Sequence, residues 1–400
     1  MSRLPWLLAL VITAGSASAA AAQGVQVTTL AAPDAFTTPG RDTGLPADLW
    51  RGASVQTAKT VLPLLATKAL SPAAAGLARR VLATGAPGPE GGSQDAGLAA
   101  ARASALVAQG DPKAAAAILA RAPGIDRSPE LARVAAESAL LSGEDARACT
   151  LADGLSSGRD EVYWLRLRTY CQAVAGQAGQ AQLTFDLAQA QAKDAVFGRL
   201  MGAKLAGAGA PGAASLRNGL DYALSRNLGL DLAAAKPAPA VAAALSSADP
   251  APPALDASAM PAELVPVAQA MMSGKSIAYG DFMGAMNAVA GGPKATGRAQ
   301  AVAMLSLALA TPTSAEERDL TTQFTLPEGK APLGRNLALD VAGNQKLMGE
   351  AALLSLWTCA EAGPAGLAIG DRVRIVRALH AVGLEADARA FALEGLAGLK

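Results

Sequence analysis

Apolar residues recur at helical spacing along most of this chain, and nowhere do they alternate at period two for long enough to propose a sheet. Leu49, Trp50, Val55, Ala58, Val61, Leu62 and Leu65 lie on one stripe, which predicts an amphipathic helix over 49–65. Ser71-Pro72, a capping residue followed by proline at the first helical position, starts a second helix that ends near Leu82. A Gly/Pro-rich loop fills 85–92, and then the elements become regular. Helices are predicted over 99–109, 114–122, 128–142, 145–155, 161–175 and 178–191, separated by breaks at Gly110-Asp111-Pro112, Pro123-Gly124, Gly143 and Gly176. The helix over 161–175 carries the largest apolar surface, from Val162, Trp164, Leu165, Leu167, Tyr170 and Val174.

Gly110, Gly143, Gly176 and Gly209 fall 33 residues apart, and each is followed five residues later by an alanine: Ala115, Ala148, Ala181 and Ala214. A fixed period of this length marks a stacked helical repeat. The alanine belongs where the two helices of one hairpin cross, since a larger side chain would push them apart. These residues resemble a tetratricopeptide repeat. Gly110-Asp111, Ala115, Leu119 and Ala122 match that family's turn, small packing residue and second-helix contacts; Ala181, Phe185 and Ala188 match well, Ala148 and Leu155 less closely. The period is one short of the usual ~34, and the family's first-helix aromatics are missing. The resemblance covers 99–192 and implies an all-α solenoid of antiparallel hairpins with a protein–protein interaction role.

Beyond 192 the repeat fades. Gly209 and Ala214 keep the register, but Asn218 and Asp221 stand where earlier units are apolar. Prolines at 237, 239, 250, 252, 253 and 261 mark either a linker or short helices such as 241–245 and 254–260. Helices resume over 262–272, 280–289, 298–309, 345–359 and 369–382, with a loop at 325–336. Gly383, Ala388 and Ala392 then repeat the turn-and-alanine pattern in a last hairpin. The expected organisation is a signal peptide at 1–22, a flexible leader at 23–44, a repeat region at 45–232, a Pro/Ala-rich connection or short helices at 233–262, and a C-terminal helical region at 263–400. In this arrangement the segment around Leu49-Trp50 closes the N-terminal end of the solenoid.

Composition narrows the classes. Half the chain is apolar but only 4% is aromatic, so Ala and Leu, both strong helix formers, supply the core. The formal net charge is +1, with no Lys/Arg stripe, which argues against nucleic acid as a partner. Residues 1–22 have the form of a secretory signal: Arg3, an apolar run from Leu4 to Ala14, and small-residue cleavage sites at 17–22, with cleavage expected near 19–22. That run and the longest later one, 299–310, are too short to span a bilayer comfortably, so no stable transmembrane span is expected in the mature chain. The address implied is the periplasm or beyond. There, Cys149 and Cys171, 22 residues apart, could join the second helix of one repeat to the first helix of the next; the alternative is three independent buried thiols, Cys359 among them.

No constellation carries chemistry. Gly207–Gly212 satisfies G-x-G-x-x-G, but a helical segment precedes it where a dinucleotide fold needs a strand, and it coincides with a repeat turn. His380 is the only histidine and sits in an apolar helix, so a zinc site or a triad has little to draw on. Glu137-Ser138 lacks the partner segment of a lytic glycosidase, and Glu144-Asp145 and Glu316-Glu317 suit helix N-termini. Trp164 belongs in the core with Tyr163 on the other face. No catalytic, metal or cofactor residues are assigned and no cofactor is expected. The expected function is a non-enzymatic scaffold or adaptor for a protein partner in the bacterial envelope, in envelope assembly, surface-structure export or motility. The alternatives are a helical module of a peptidoglycan-acting enzyme and a carrier of apolar ligands or lipid.

Overall fold

Among the described residues every regular element is helical, and pairs of helices set the architecture. The computed structural model describes residues 36–399 apart from 93–94, 121, 208–209, 247–257, 259, 276, 295–296, 311–313, 326–327 and 364–365. Residues 1–22, where a signal peptide is expected, Gly209 and most of the short helix expected over 254–260 lie outside the described residues. The first helices are α1 (Val55–Thr67) and α2 (Pro72–Ala83). Three hairpins follow: α3 (Ala96–Ala108) with α4 (Pro112–Leu119), α5 (Pro129–Leu141) with α6 (Asp145–Gly154), and α7 (Val162–Val174) with α8 (Ala178–Gln191). Then come α9 (Ala195–Ala206), α10 (Gly219–Asn227), α11 (Pro239–Ser246), α12 (Val265–Met272), α13 (Tyr279–Ala288), α14 (Arg298–Leu309) and α15 (Ala315–Thr321). Two further hairpins close the chain, α16 (Leu333–Asn344) with α17 (Met348–Ala362) and α18 (Ile369–Ala381) with α19 (Glu385–Ala397).

The periodic glycines have one local job. Gly110 ends α3 at φ +91°, its N–H donating to Val107 O at 3.1 Å while the Asp111 N–H reaches Leu106 O at 2.9 Å. This pair of bonds satisfies carbonyls that the helix end would otherwise leave open, and it needs a left-handed residue. Gly143, Gly176 and Gly383 repeat the arrangement. Ala115, Ala148, Ala181 and Ala388 are fully buried at the helix crossings that follow. Ala214 departs from the series: it lies in a loop, half-buried, and Asn218 instead caps α10 by accepting the Asp221 N–H at 2.8 Å.

The expected helix over 49–65 begins only at Val55, and Leu49-Trp50 does not close an open end. Trp50 is 1% exposed because α17 packs on it: the Gly349 N–H donates to Leu49 O at 2.9 Å, and a Cβ at Gly349 would lie 2.7 Å from that oxygen. The C-terminal hairpins thus cover the first helices, with α17 against α1 and α2, and α19 against α2. One hydrophobic core accordingly joins residues 36–135 to 260–396, and a second runs from Ala132 to Leu224. Residues 36–44 differ from the flexible leader expected there. Phe36 is 1% exposed, set edge-on to Trp50 and beneath the buried Arg102 guanidinium, which donates to Leu82 O and Thr84 O at 2.8 Å. The loop expected at 325–336 yields to α16 from Leu333 onward.

Candidate functional site

The repeats expose one face made by their first helices, and part of it is covered by the chain itself. α10 lies on α5 and α11 on α3. α11 comes so close to the first repeat turn that a Cβ on Gly110 would stand 2.6 Å from Ala243 O. Val241 and Ala244 of α11 join Leu141 and Leu216 in a small satellite core.

Two adjoining cavities lie on this face. One, about 450 Å³, is a trough between α3, α5, α10 and α11, walled by small aliphatic side chains such as Ala101, Val107, Val134 and Val241. The other, about 400 Å³, lies towards α7 and α9 and is lined by Tyr163, Arg166, Asp194 and Asp221. Arg133, Glu137 and Asn218 border both. Arg133 and Glu137 are one helical turn apart on α5, so they project from the same face.

Charge at this junction is unevenly satisfied. Asp194 caps α9 by accepting the N–H groups of Val196 at 3.0 Å and Phe197 at 3.1 Å, and it pairs with Arg217 at 3.1 Å and Arg166 at 3.3 Å. Burial works against its charge, but the Phe197 N–H and the Arg217 and Arg166 guanidinium groups hold its carboxyl below the ordinary range. Arg217 also binds Asp221 at 2.6 Å, and Asp221 takes the Ser215 hydroxyl at 2.7 Å. Glu137 is different. One oxygen accepts the Gly219 N–H at 2.7 Å; the other, Oε1, is buried and faces the Tyr163 hydroxyl without an aligned hydrogen bond. Burial pushes the Glu137 carboxyl up against the pull of the Gly219 N–H, Tyr163 and Arg133, and burial beside Glu137 pushes the Tyr163 phenol well above its ordinary value. The Arg133 guanidinium stacks 4.7 Å over the Tyr163 ring, and among the described residues no carboxylate lies within ion-pairing distance of it.

The residues singled out from sequence take ordinary structural places. Cys149 on α6 and Cys171 on α7 lie at disulfide distance with their Cα atoms 5.5 Å apart, joining one hairpin to the next. Cys359 is a buried thiol that burial pushes up to about 12, which removes its nucleophilic form. His380 sits half-buried at the end of α18 with Nδ1 2.9 Å from a Glu385 oxygen. Gly207 closes α9 at φ +62°, so a helix precedes the G-x-G-x-x-G; Ala208 and Gly209 within it lie outside the described residues. Trp164 is core and Tyr163 faces Glu137. Among the described residues no group of His, Cys, Asp or Glu could hold a metal ion, and no helix is long and apolar enough to cross a membrane. Arg133, Glu137, Arg217 and Asn218 were not legible as a set, because α10 brings the last two to α5 from about 80 positions away. Compared with family models, with curated proteins and with solved structures, the chain matches none.

Proposed function

We propose that this protein is an exported, non-enzymatic helical-repeat scaffold, related to tetratricopeptide repeats, that holds a protein partner in the bacterial cell envelope. One observation carries the reading: large apolar side chains stand exposed at helical spacing on the outer faces of surface helices. On α16, Leu333, Leu337 and Val341 are 64%, 56% and 50% exposed, one stripe over two turns. On α8, Leu183 and Leu187 are 65% and 53% exposed, with Val174 of α7 beside them. Apolar residues spaced one turn apart on a rigid helix are what a partner helix packs against, and isolated exposed leucines do not make such stripes. The secretory form of residues 1–22 and the paired Cys149 and Cys171 support export, since disulfides persist in oxidising compartments.

The test is photo-crosslinking in the producing cell, with the reactive residue placed at Leu187, at Leu337 and, as a control, at the exposed Lys113. A discrete protein adduct from position 187 or 337, absent from 113 and lost in Leu183→Asp or Leu333→Asp, is the expected result. Adducts that do not differ between the three positions would remove the basis for the scaffold. Release of muropeptides from sacculi by the purified protein would replace it with an enzymatic function.

A further inference from the structure

The trough on the first-helix face has the build of a ligand site and is independent of the exposed stripes on α8 and α16. Its volume, about 450 Å³, is within the range of small-molecule sites. Its walls come from Ala66, Ala101, Val107, Ala108, Val134 and Val241: short, flexible-chain-accommodating surfaces with no aromatic plate for a ring to stack on. At one end stands Arg133, which has no ion-pair partner among the described residues, whereas the neighbouring Arg166 and Arg217 are held by Asp194 and Asp221. The Tyr163 hydroxyl belongs to the adjoining cavity, where it faces Glu137.

We propose that this trough binds an unbranched aliphatic carboxylate, the chain lying between α3, α5 and α11 and the carboxylate accepting hydrogen bonds from the Arg133 guanidinium. Apolar side chains make up most of the wall, which favours an occupant that is apolar along most of its length; Ser104, Glu130, Glu137, Arg217 and Asn218 are polar exceptions beside Arg133. The free guanidinium selects an anionic head over an alcohol, since a charge-assisted bond to a planar fork is among the stronger polar contacts. Glu130 and Glu137 both line the trough and would oppose a second carboxylate there; Glu130 is exposed to solvent, which screens it, and Glu137 is the one whose charge burial opposes. Burial already pushes its carboxyl up, towards the neutral form that such a neighbour requires. The Gly219 N–H fixes one of its oxygens at 2.7 Å.

The experiment is calorimetric or fluorescence-displacement titration of the purified full chain with hexadecanoate below its micellar concentration. Hexadecanol and acetate are the parallel probes, the first lacking the charge and the second the chain. One saturable site for hexadecanoate is expected, with hexadecanol and acetate both much weaker. Arg133→Gln, at an exposed position, should weaken binding by roughly tenfold to a hundredfold. Ala101→Asp, at a half-buried trough position, should abolish it, with circular dichroism showing both variants folded. A second apolar cavity of about 360 Å³, between α14, α15 and α18 beside Arg377, supplies the internal rival. Arg377→Gln should leave binding unchanged. The proposal is overturned if hexadecanoate shows no saturable site, if hexadecanol binds equally, if folded Arg133→Gln binds like the wild type, or if Arg377→Gln is the variant that loses binding.

Discussion

Glu350 of α17 accepts the backbone N–H of Ser54 at 2.8 Å, although 296 residues separate them in the chain. Ser54 is the N-cap of α1, and its own hydroxyl takes the Thr57 N–H at 3.2 Å. In a capping box a glutamate three residues on would return to the cap's N–H. Here that position is Thr57, and Glu350 supplies the carboxylate from the far end of the sequence, taking the Thr57 hydroxyl at 2.9 Å as well. Glu350→Ala should therefore lower stability by about 1–2 kcal/mol, the cost of a lost cap, with Glu350→Gln losing less. Urea unfolding of the three proteins checks the order.

Glu394 of α19 plays a similar part for α2 and carries an extra charge. It accepts the Ala73 N–H at 2.8 Å and pairs with Arg372 at 2.9 Å. The Arg372 side chain is only 7% exposed, so removing its partner leaves a buried cation without a carboxylate. Glu394→Ala should cost about 3 kcal/mol or more, exceeding Glu350→Ala. Hydrogen exchange should show the loss first at the N-terminal turn of α2, where the Ala73 amide is released.

What could be read from sequence divides along the same line, between local devices and contacts between distant segments. The Gly110, Gly143, Gly176 and Gly383 turns were legible because the helix terminator and its following alanine are both local. Gly229 and Gly274 close α10 and α12 with the same pair of backbone bonds, but they fall off the period and so passed unremarked. Lys346 does so for α16 at φ +58° without a glycine at all. α16 is harder to read because its largest apolar residues, Leu333, Leu337 and Val341, face outward, while its buried face is made of Asn336, Leu339, Ala342 and Gly343, only one of them a large apolar residue. Trp50 was apolar for a reason that lies at Gly349, and the unpaired state of Arg133 depends on where α10 places Arg217 and Asn218.

The turn glycines should respond unequally to substitution. A Cβ at Gly176 meets nothing within 4 Å, so Gly176→Ala carries only the left-handed strain, about 1–2 kcal/mol. At Gly110 the same Cβ would also press on Ala243 O, so Gly110→Ala should cost clearly more and loosen α11. Lys346→Gly should run the other way and stabilise by about 0.5–1 kcal/mol by relieving the strain. The loss of the Lys346 ammonium bond to Ala381 O, which is exposed, offsets only part of this. Thermal unfolding midpoints should rank Lys346→Gly above wild type, then Gly176→Ala, then Gly110→Ala.

The Cys149–Cys171 link closes a 22-residue separation across the junction of two hairpins. In the chain-entropy account, reduction or Cys149→Ala/Cys171→Ala should lower stability by about 3 kcal/mol. Mass mapping without reductant should return the joined peptides, and denaturation with and without reductant should separate by that amount. The double alanine variant should show no such separation, since Cys359 has no neighbour to pair with among the described residues.

Glu137 gives the protein a dependence on pH with a definite sign. Burial holds its carboxyl above the ordinary value in the fold, so the folded state binds this proton more tightly than the unfolded chain does. The associated stability is complete below the unfolded value, about 4, and is lost as the pH rises through the raised folded value. Glutamine keeps an oxygen for the Gly219 N–H and offers a donor towards the Tyr163 hydroxyl, without a charge to bury. Glu137→Gln should therefore match the wild type near pH 4.5 and become progressively the more stable of the two towards pH 8. Groups that titrate in both proteins, such as Asp194 beside Arg217, cancel in the difference. Unfolding free energies measured in parallel across that range decide the matter, and a difference that stays constant with pH would mean that Glu137 titrates alike in the folded and unfolded chain.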